Sequence, residues 1–318
     1  MKIMNKLITV ILLVFFITTV SFAADYPNKP ITLINPWSAG GGTDVIARTL
    51  AEELKSILNV NVIVVNKTGG SGAVGIAAAA ESAPDGYTLF INDKSFISSH
   101  YMGVTKIRWD DMQPVCGLDL ASHGIVVHSD SPWQTPQGFI AEAKENPGEI
   151  TIGVSGIGGM SHLNAENFKL ASGADMKIVS FEGAAKSQAA LAGQHIDAMS
   201  AQLGEIRSFI EAGEFRLLAV GDVERHPAFP DTPTFREVGV DFVLNQYRVI
   251  WAPEGTSIER VQVIADAVEL AMNSESMEKL FKNTLTQNYF MGPEEVTAEL
   301  ERQDDILKKL VEDSGLLK

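Results

Sequence analysis

The stretch Asn35-Pro36-Trp37-Ser38-Ala39-Gly40-Gly41-Gly42-Thr43-Asp44-Val45-Ile46-Ala47-Arg48 decides how the rest of the chain is read. Ahead of it, Ile31 to Ile34 is a short apolar run of the kind a buried strand needs. Behind it, Val45, Ile46, Leu50, Leu54, Ile57 and Leu58 recur at helical spacing. The glycines between permit positive φ and let another group come close to the backbone. A helix starting there presents unpaired N–H groups and the positive end of its dipole to the turn. Strand, glycine turn and helix start together form an anion cradle. A tight βα turn that binds nothing has the same local sequence, so the choice between them rests on the remainder of the chain.

Working outward, the pattern recurs. Val60 to Asn66 reads as a second strand, Lys67-Thr68-Gly69-Gly70-Ser71-Gly72 as another glycine turn, and Ala73 to Ser82 as a small-residue helix. Pro84-Asp85-Gly86 is a turn leading into a strand over Tyr87 to Ile91. Further strands are expected over Gly124–His128, Glu149–Val154, Met176–Phe181, His195–Ser200, Arg216–Val220 and Tyr247–Trp251. A third glycine loop, Ser155-Gly156-Ile157-Gly158-Gly159-Met160-Ser161-His162, precedes a helix over Leu163 to Ala171. Thr135-Pro136 reads as an N-cap and first helical residue, and amphipathic helices are expected near 257–272, 275–283 and 293–313. Alternating strands and helices of this length mean an α/β fold with parallel strands, whose ligands bind outside the carboxyl ends of the strands. The glycine loops sit at those ends.

Residues 1–23 carry a separate signal. Lys2 and Lys6, an apolar run from Leu7 to Val20 and then Ser21-Phe22-Ala23 fit a secretory leader cleaved after Ala23. Ala24 stands where a lipid-anchored form needs Cys. The formal charge is −15, and loss of the two leader lysines makes it more negative. Such acidity repels phosphate backbones and anionic lipid, and no basic cluster with interleaved aromatics is present, so nucleic acid is excluded. The single cysteine, Cys116, forms no internal disulfide, and the fold relies on core burial.

Catalytic and cofactor signatures are missing. No glycine loop reads G-x-x-x-x-G-K followed by Ser or Thr, and G-x-G-x-x-G occurs once, at Gly70-Ser71-Gly72-Ala73-Val74-Gly75. The six histidines are scattered without a metal-ligand spacing. Gly153-Val154-Ser155-Gly156-Ile157 fails the nucleophile-elbow pattern at its last position. Ser155 and Ser161 read instead as hydroxyl donors to a bound anion. His162 opens a helix after a glycine loop, where it either meets an anion or makes a local loop bond. Asp44 stands at a helix start with Arg48 at i+4, a loop-ordering position. No cofactor and no metal are expected, and the chain is not expected to be an enzyme; an exported hydrolase is the catalytic alternative.

Several motifs resemble one family. Tyr26-Pro27-Asn28-Lys29-Pro30-Ile31 leading into Pro36 through Asp44, Asn66 to Gly75, Ala83-Pro84-Asp85-Gly86-Tyr87-Thr88-Leu89, Pro230-Asp231-Thr232-Pro233-Thr234 and Ala252-Pro253-Glu254-Gly255-Thr256 are similar in order and spacing to the tripartite tricarboxylate transporter receptors, the Bug/TctC solute-binding proteins. Phe181-Glu182-Gly183 stands where they usually have Tyr-Lys-Gly, which puts a cationic contact there in doubt. The resemblance implies a type II periplasmic binding fold, a Venus flytrap of two α/β domains joined by two crossovers. Domain 1 is expected over 24–123 and 236–318, and domain 2 over 124–235. It implies a small carboxylate bound between the domains, integral-membrane transporter subunits as partners, a periplasmic location and a monomeric state. Carried over by position, the ligand contacts are Pro36, Trp37, Ser38, Ala39, Gly40, Gly41, Gly42, Ser71, Gly72 and Ser95 on one side. On the other they are Ser155, Gly156, Gly158, Ser161 and His162, with Tyr247 (where many members have Trp) and Arg248. A sensing subunit for a membrane kinase would share all these features.

Overall fold

A computed structural model describes residues 26–317; the leader expected over residues 1–23 lies outside them. The chain forms two mixed sheets. The first has six strands in the order β11-β4-β10-β3-β1-β2. These are β1 (Ile31–Asn35), β2 (Val62–Asn66), β3 (Thr88–Asp93), β4 (Met112–Ala121), β10 (Gln246–Pro253) and β11 (Thr286–Met291). Helix α1 (Gly42–Leu58) follows β1, α2 (Ala73–Ala80) follows β2, and α3 (Ser95–Tyr101) follows β3. Helices α8 (Ile258–Met272), α9 (Glu275–Thr284) and α10 (Pro293–Asp313) complete this lobe. The α1 stripe Ile46, Leu50 and Leu54 is buried against Ile31, Leu33, Leu89 and Val268, which is why the 3.6-residue period was there to be read.

The second sheet has five strands in the order β7-β6-β8-β5-β9, namely β5 (His123–His128), β6 (Thr151–Val154), β7 (Lys177–Ser180), β8 (Ala198–Gln202) and β9 (Phe215–Val220). It carries α4 (Pro136–Glu145), α5 (Met160–Ser172), α6 (Ala184–Ala192) and α7 (Leu203–Glu211). At the start of α4 the Thr135 hydroxyl oxygen accepts from the Gly138 N–H at 3.2 Å, with Pro136 as first helical residue. The chain leaves the first sheet at Ala121, enters the second at His123, and returns between Val220 and Gln246.

The expectation of all-parallel strands needs correction. β1 pairs parallel with β2 and β3, but β10 runs antiparallel to both β3 and β4. Likewise β6 is parallel to β7 and β8, whereas β5 is antiparallel to β8 and β9. The crossovers are the reason. A strand that enters a sheet from the neighbouring lobe starts at the edge where the other strands finish, so it must run against them. In consequence the carboxyl ends of β1, β3 and β4 lie beside the start of β10, and those of β6, β8 and β9 beside the start of β5.

Candidate functional site

The β1–α1 loop is tied down from three directions. The Trp37 indole N–H donates to Asn92 Oδ1 at 2.8 Å, and the Asn66 amide donates to the Trp37 carbonyl at 3.0 Å and to Asp44 Oδ1 at 2.7 Å. Asp44 Oδ2 accepts from the Gly40 N–H and from Arg48 Nε, each at 2.9 Å. The Asp44 carboxyl is 2% exposed. Burial alone would raise its pKa, but the donors from Arg48, Gly40 and Asn66 outweigh it and lower it to about 2. A carboxylate so occupied links Gly40 of the turn to Asn66 and to Arg48 of α1.

Within the glycine triplet, Gly40 has the positive φ (80°), whereas Gly41 is the extended N-cap at φ −75°. Ser38, Ala39 and Gly40 form the exposed tip, while Pro36 is buried and Trp37 half-buried. The second loop leans on the first: a Cβ at Gly72 would lie 3.6 Å from Pro36 Cβ and 3.8 Å from Trp37 Cη2. Ser71 is exposed and left-handed at φ 54°.

In the second lobe the β6–α5 loop is held by its own hydroxyls. Ser161 Oγ accepts from the Ser155 N–H at 3.0 Å and lies 2.7 Å from Ser155 Oγ. Two hydroxyls sharing one mutual bond leave one O–H to donate outward. His162 Nδ1 accepts from the Gly158 N–H at 3.2 Å, which makes the local loop bond. Burial first, then Lys169, pushes the imidazole pKa down to about 4, so the ring is neutral at pH 7. Gly156 has open space where a Cβ would be, while Gly158 packs against Met102 of the first lobe.

The two lobes meet at Gly42. A Cβ there would lie 3.0 Å from Arg248 Nη2, 3.3 Å from Gln202 Oε1 and 4.0 Å from Glu205 Oε1. Arg248, 1% exposed, donates from Nη1 to Asp119 Oδ2 at 2.6 Å, from Nε to Thr43 Oγ1 at 3.1 Å and from Nη2 to Gln202 Oε1 at 3.2 Å. Its guanidinium therefore ties the first sheet, α1 and the end of β8 together, beside Gly42 of the first glycine loop. Tyr247 takes the opposite face of β10, with its ring 5.3 Å from Lys94 Nζ and its buried hydroxyl unpartnered. Ser95 is 1% exposed and its N–H donates to Asp93 Oδ1 at 2.8 Å. Residues 36–42 and 71–72 thus lie at strand ends of the first lobe and 155–162 at a strand end of the second, while Ser95, Tyr247 and Arg248 are buried. Glu182 is exposed and paired with Lys186.

Thr43 and Asn66 stand inside motifs legible in the sequence without being singled out there, and Asn92, Asp119, Gln202 and Glu205 lie in none of those motifs. Gln202 and Glu205 flank the β8–α7 junction, a fourth strand-to-helix turn at the same edge, which lacks a glycine run to mark it.

Two α/β lobes with strand-end loops facing one seam define a solute-binding receptor architecture. The family model described as tripartite tricarboxylate transporter family receptor matches residues 46–316, and the chain belongs to that family. A Cupriavidus necator protein from the gbd 5′ region is 33% identical over 93% of this chain and 90% of its own length. A TctC solute-binding protein from Polaromonas, solved without ligand, is 31% identical with a TM-score of 0.74, covering 90% of this chain and 99% of its own. An R. palustris protein solved with adipate is 26% identical with a TM-score of 0.84, covering 92% and 99%. The two-lobed periplasmic binding fold is shared with these structures. The family is one of receptors rather than enzymes.

Proposed function

We propose that the protein is an extracytoplasmic receptor that captures a small carboxylate between its lobes and delivers it to membrane subunits of a tripartite tricarboxylate-type transporter, without catalysis. The observation that carries this reading is the start of α1. Among the described residues the N–H groups of Gly42 and Thr43 have no acceptor, and Gly42 lies beside Gln202 and Glu205 of the other lobe. A carboxylate there accepts charge-assisted bonds worth roughly 1.5–3 kcal/mol each, plus about 0.3–1 kcal/mol from the helix end. The leftover hydroxyl proton of the Ser155–Ser161 pair supplies a donor from the other lobe. A ligand touched by both halves favours the closed form, and that form is what membrane subunits would read. The adipate in the R. palustris relative supports the ligand class. Periplasmic residence follows from the leader expected at residues 1–23 and from the family.

Thermal-shift screening of mono-, di- and tricarboxylates tests the reading. At about 100 times Kd, a ligand bound only by the folded form adds ~2.7 kcal/mol, a rise of several degrees in Tm for a chain of this size. Protein refolded free of carried-over ligand that responds to none of them would overturn it.

A further inference from the structure

The edges of the two sheets are not protected alike. β11 is polar, and its pairing with β4 slips between Asn288 and Met291. β7 is four residues long and opens on the exposed Lys177. β9 is covered at Val220, whose N–H donates to the Pro233 carbonyl and whose carbonyl accepts from the Phe235 N–H. Irregular pairing, charge, shortness and a covering segment all keep a sheet edge from pairing with another chain. β2, the remaining edge, has none of these. It reads Val62-Ile63-Val64-Val65-Asn66, Ile63 is 49% exposed, and among the described residues the strand pairs with β1 alone.

The backbone fixes which groups of β2 face outward. The Asn61 carbonyl accepts from the Ile31 N–H at 2.9 Å and the Lys67 N–H donates to the Asn35 carbonyl at 2.8 Å, so the odd-numbered positions face β1. The N–H and C=O groups of Val62, Val64 and Asn66 therefore point away from the sheet. That row is self-complementary. A second copy laid antiparallel about a twofold axis at Val64 pairs Val62 with the partner's Asn66, and Val64 with its own counterpart. The same register sets Ile63 beside the partner's Val65, a β-branched cross-strand pair that covers the most exposed side chain of the strand. Charge permits the contact. Two chains of formal charge −15 repel, so a surface where they meet must be free of carboxylates. Leu54 to Ala80, which contains β2, is the longest stretch of the sequence without Asp or Glu, and its charges are Lys55 and Lys67. The strands that carry the crossovers, β4 and β10, lie beyond β3 and β1 in the sheet order, so pairing at β2 leaves the lobes free to move.

We propose that β2 is a homodimer interface, at which two copies join antiparallel into one continuous sheet, in place of the monomer that the family resemblance implies. The pairing does not depend on what the seam between the lobes binds.

Sedimentation equilibrium on the chain lacking residues 1–23 reads the association directly. The expected dimer is weak, with a dissociation constant of roughly 10 μM, as suits a small interface. Ile63→Lys, at an exposed position, should raise that constant at least about tenfold with the circular dichroism unchanged. Val64→Cys faces its own counterpart across the twofold with Cα atoms about 5.5 Å apart, within reach of a disulfide. It should cross-link under mild oxidation, whereas Val62→Cys, which faces the partner's Asn66, should not. A chain that stays monomeric at about 100 μM, as it would if this edge instead received a segment of another protein, overturns the pairing. So does a dimer that Ile63→Lys leaves unweakened, or one that cross-links equally through Val62→Cys and Val64→Cys.

Discussion

Asp44 shows how a single acid is made compatible with an anion site. Its two oxygens accept from a backbone N–H, an amide and a guanidinium, so its charge is neutralised inside the first turn of α1. Asp44→Ala removes the acceptor and strands the Gly40 N–H and the Asn66 amide, an expected loss of about 1–3 kcal/mol, read as a lower urea midpoint at constant m. Asp44→Asn fares little better, because its amide nitrogen would point a donor at donors. The acid limb of the stability curve carries the same signature. A carboxyl held at about 2, below its unfolded value near 3.8, stabilises the fold at pH above that unfolded value. The contribution disappears as pH falls through the folded pKa, so about 2 kcal/mol should vanish between about pH 4 and pH 2. Comparison of wild type with Asp44→Ala across that window should show the two curves converging as pH drops. Curves that stay parallel would mean that Asp44 is not held in this way.

At the scale of elements, the glycine loops were legible and the buried ties were not. The β1–α1 unit announces itself because an apolar strand, a glycine run and a 3.6-residue stripe are all local patterns. β4 was invisible for a physical reason: it is buried on nearly every residue and interrupted by Pro114 and Gly117, so it shows no alternation. α3 is only seven residues long and rich in Ser, and β11 is polar and mostly exposed, so neither shows an apolar period. Arg248 and Asp119 are 129 residues apart, and no spacing rule joins them. Gly42 and Gly75 separate helix seating from lobe contact. A Cβ at Gly75 would lie 2.8 Å from Pro36 Cβ and 2.9 Å from its Cα, so Gly75→Ala must push α2 off the loop and should cost about 1–3 kcal/mol of stability in urea unfolding. Gly42→Ala instead sets a methyl 3.0 Å from Nη2 of the buried, triply hydrogen-bonded Arg248 and 3.3 Å from Gln202 Oε1. It should cost about 1 kcal/mol in urea unfolding, and calorimetric affinity should fall about tenfold. Unchanged affinity would remove this contact from the ligand's surroundings.

The whole molecule is two sheets that exchange strands, and its seam is built from both. α7 meets the end of α9 so closely that a side chain on Gly204 would collide with the Thr284 carbonyl oxygen, and Arg207 Nη1 donates to the Lys282 carbonyl at 3.1 Å. Gly204→Ala should therefore prise the lobes apart, seen as a larger radius of gyration in solution scattering with helix content unchanged. An unaltered radius would show that the α7–α9 contact does not hold the lobes together. The central claim, that a carboxylate sits at the convergence of the two lobes, is tested most directly by a crystal structure with the tightest carboxylate from the screen. The ligand carboxylate should lie within about 3 Å of the Gly42 or Thr43 N–H and be reached by Ser155 or Ser161, with the Arg248–Asp119 pair intact. A ligand bound elsewhere, or an Arg248 released from Asp119 to grip the carboxylate itself, would contradict the account.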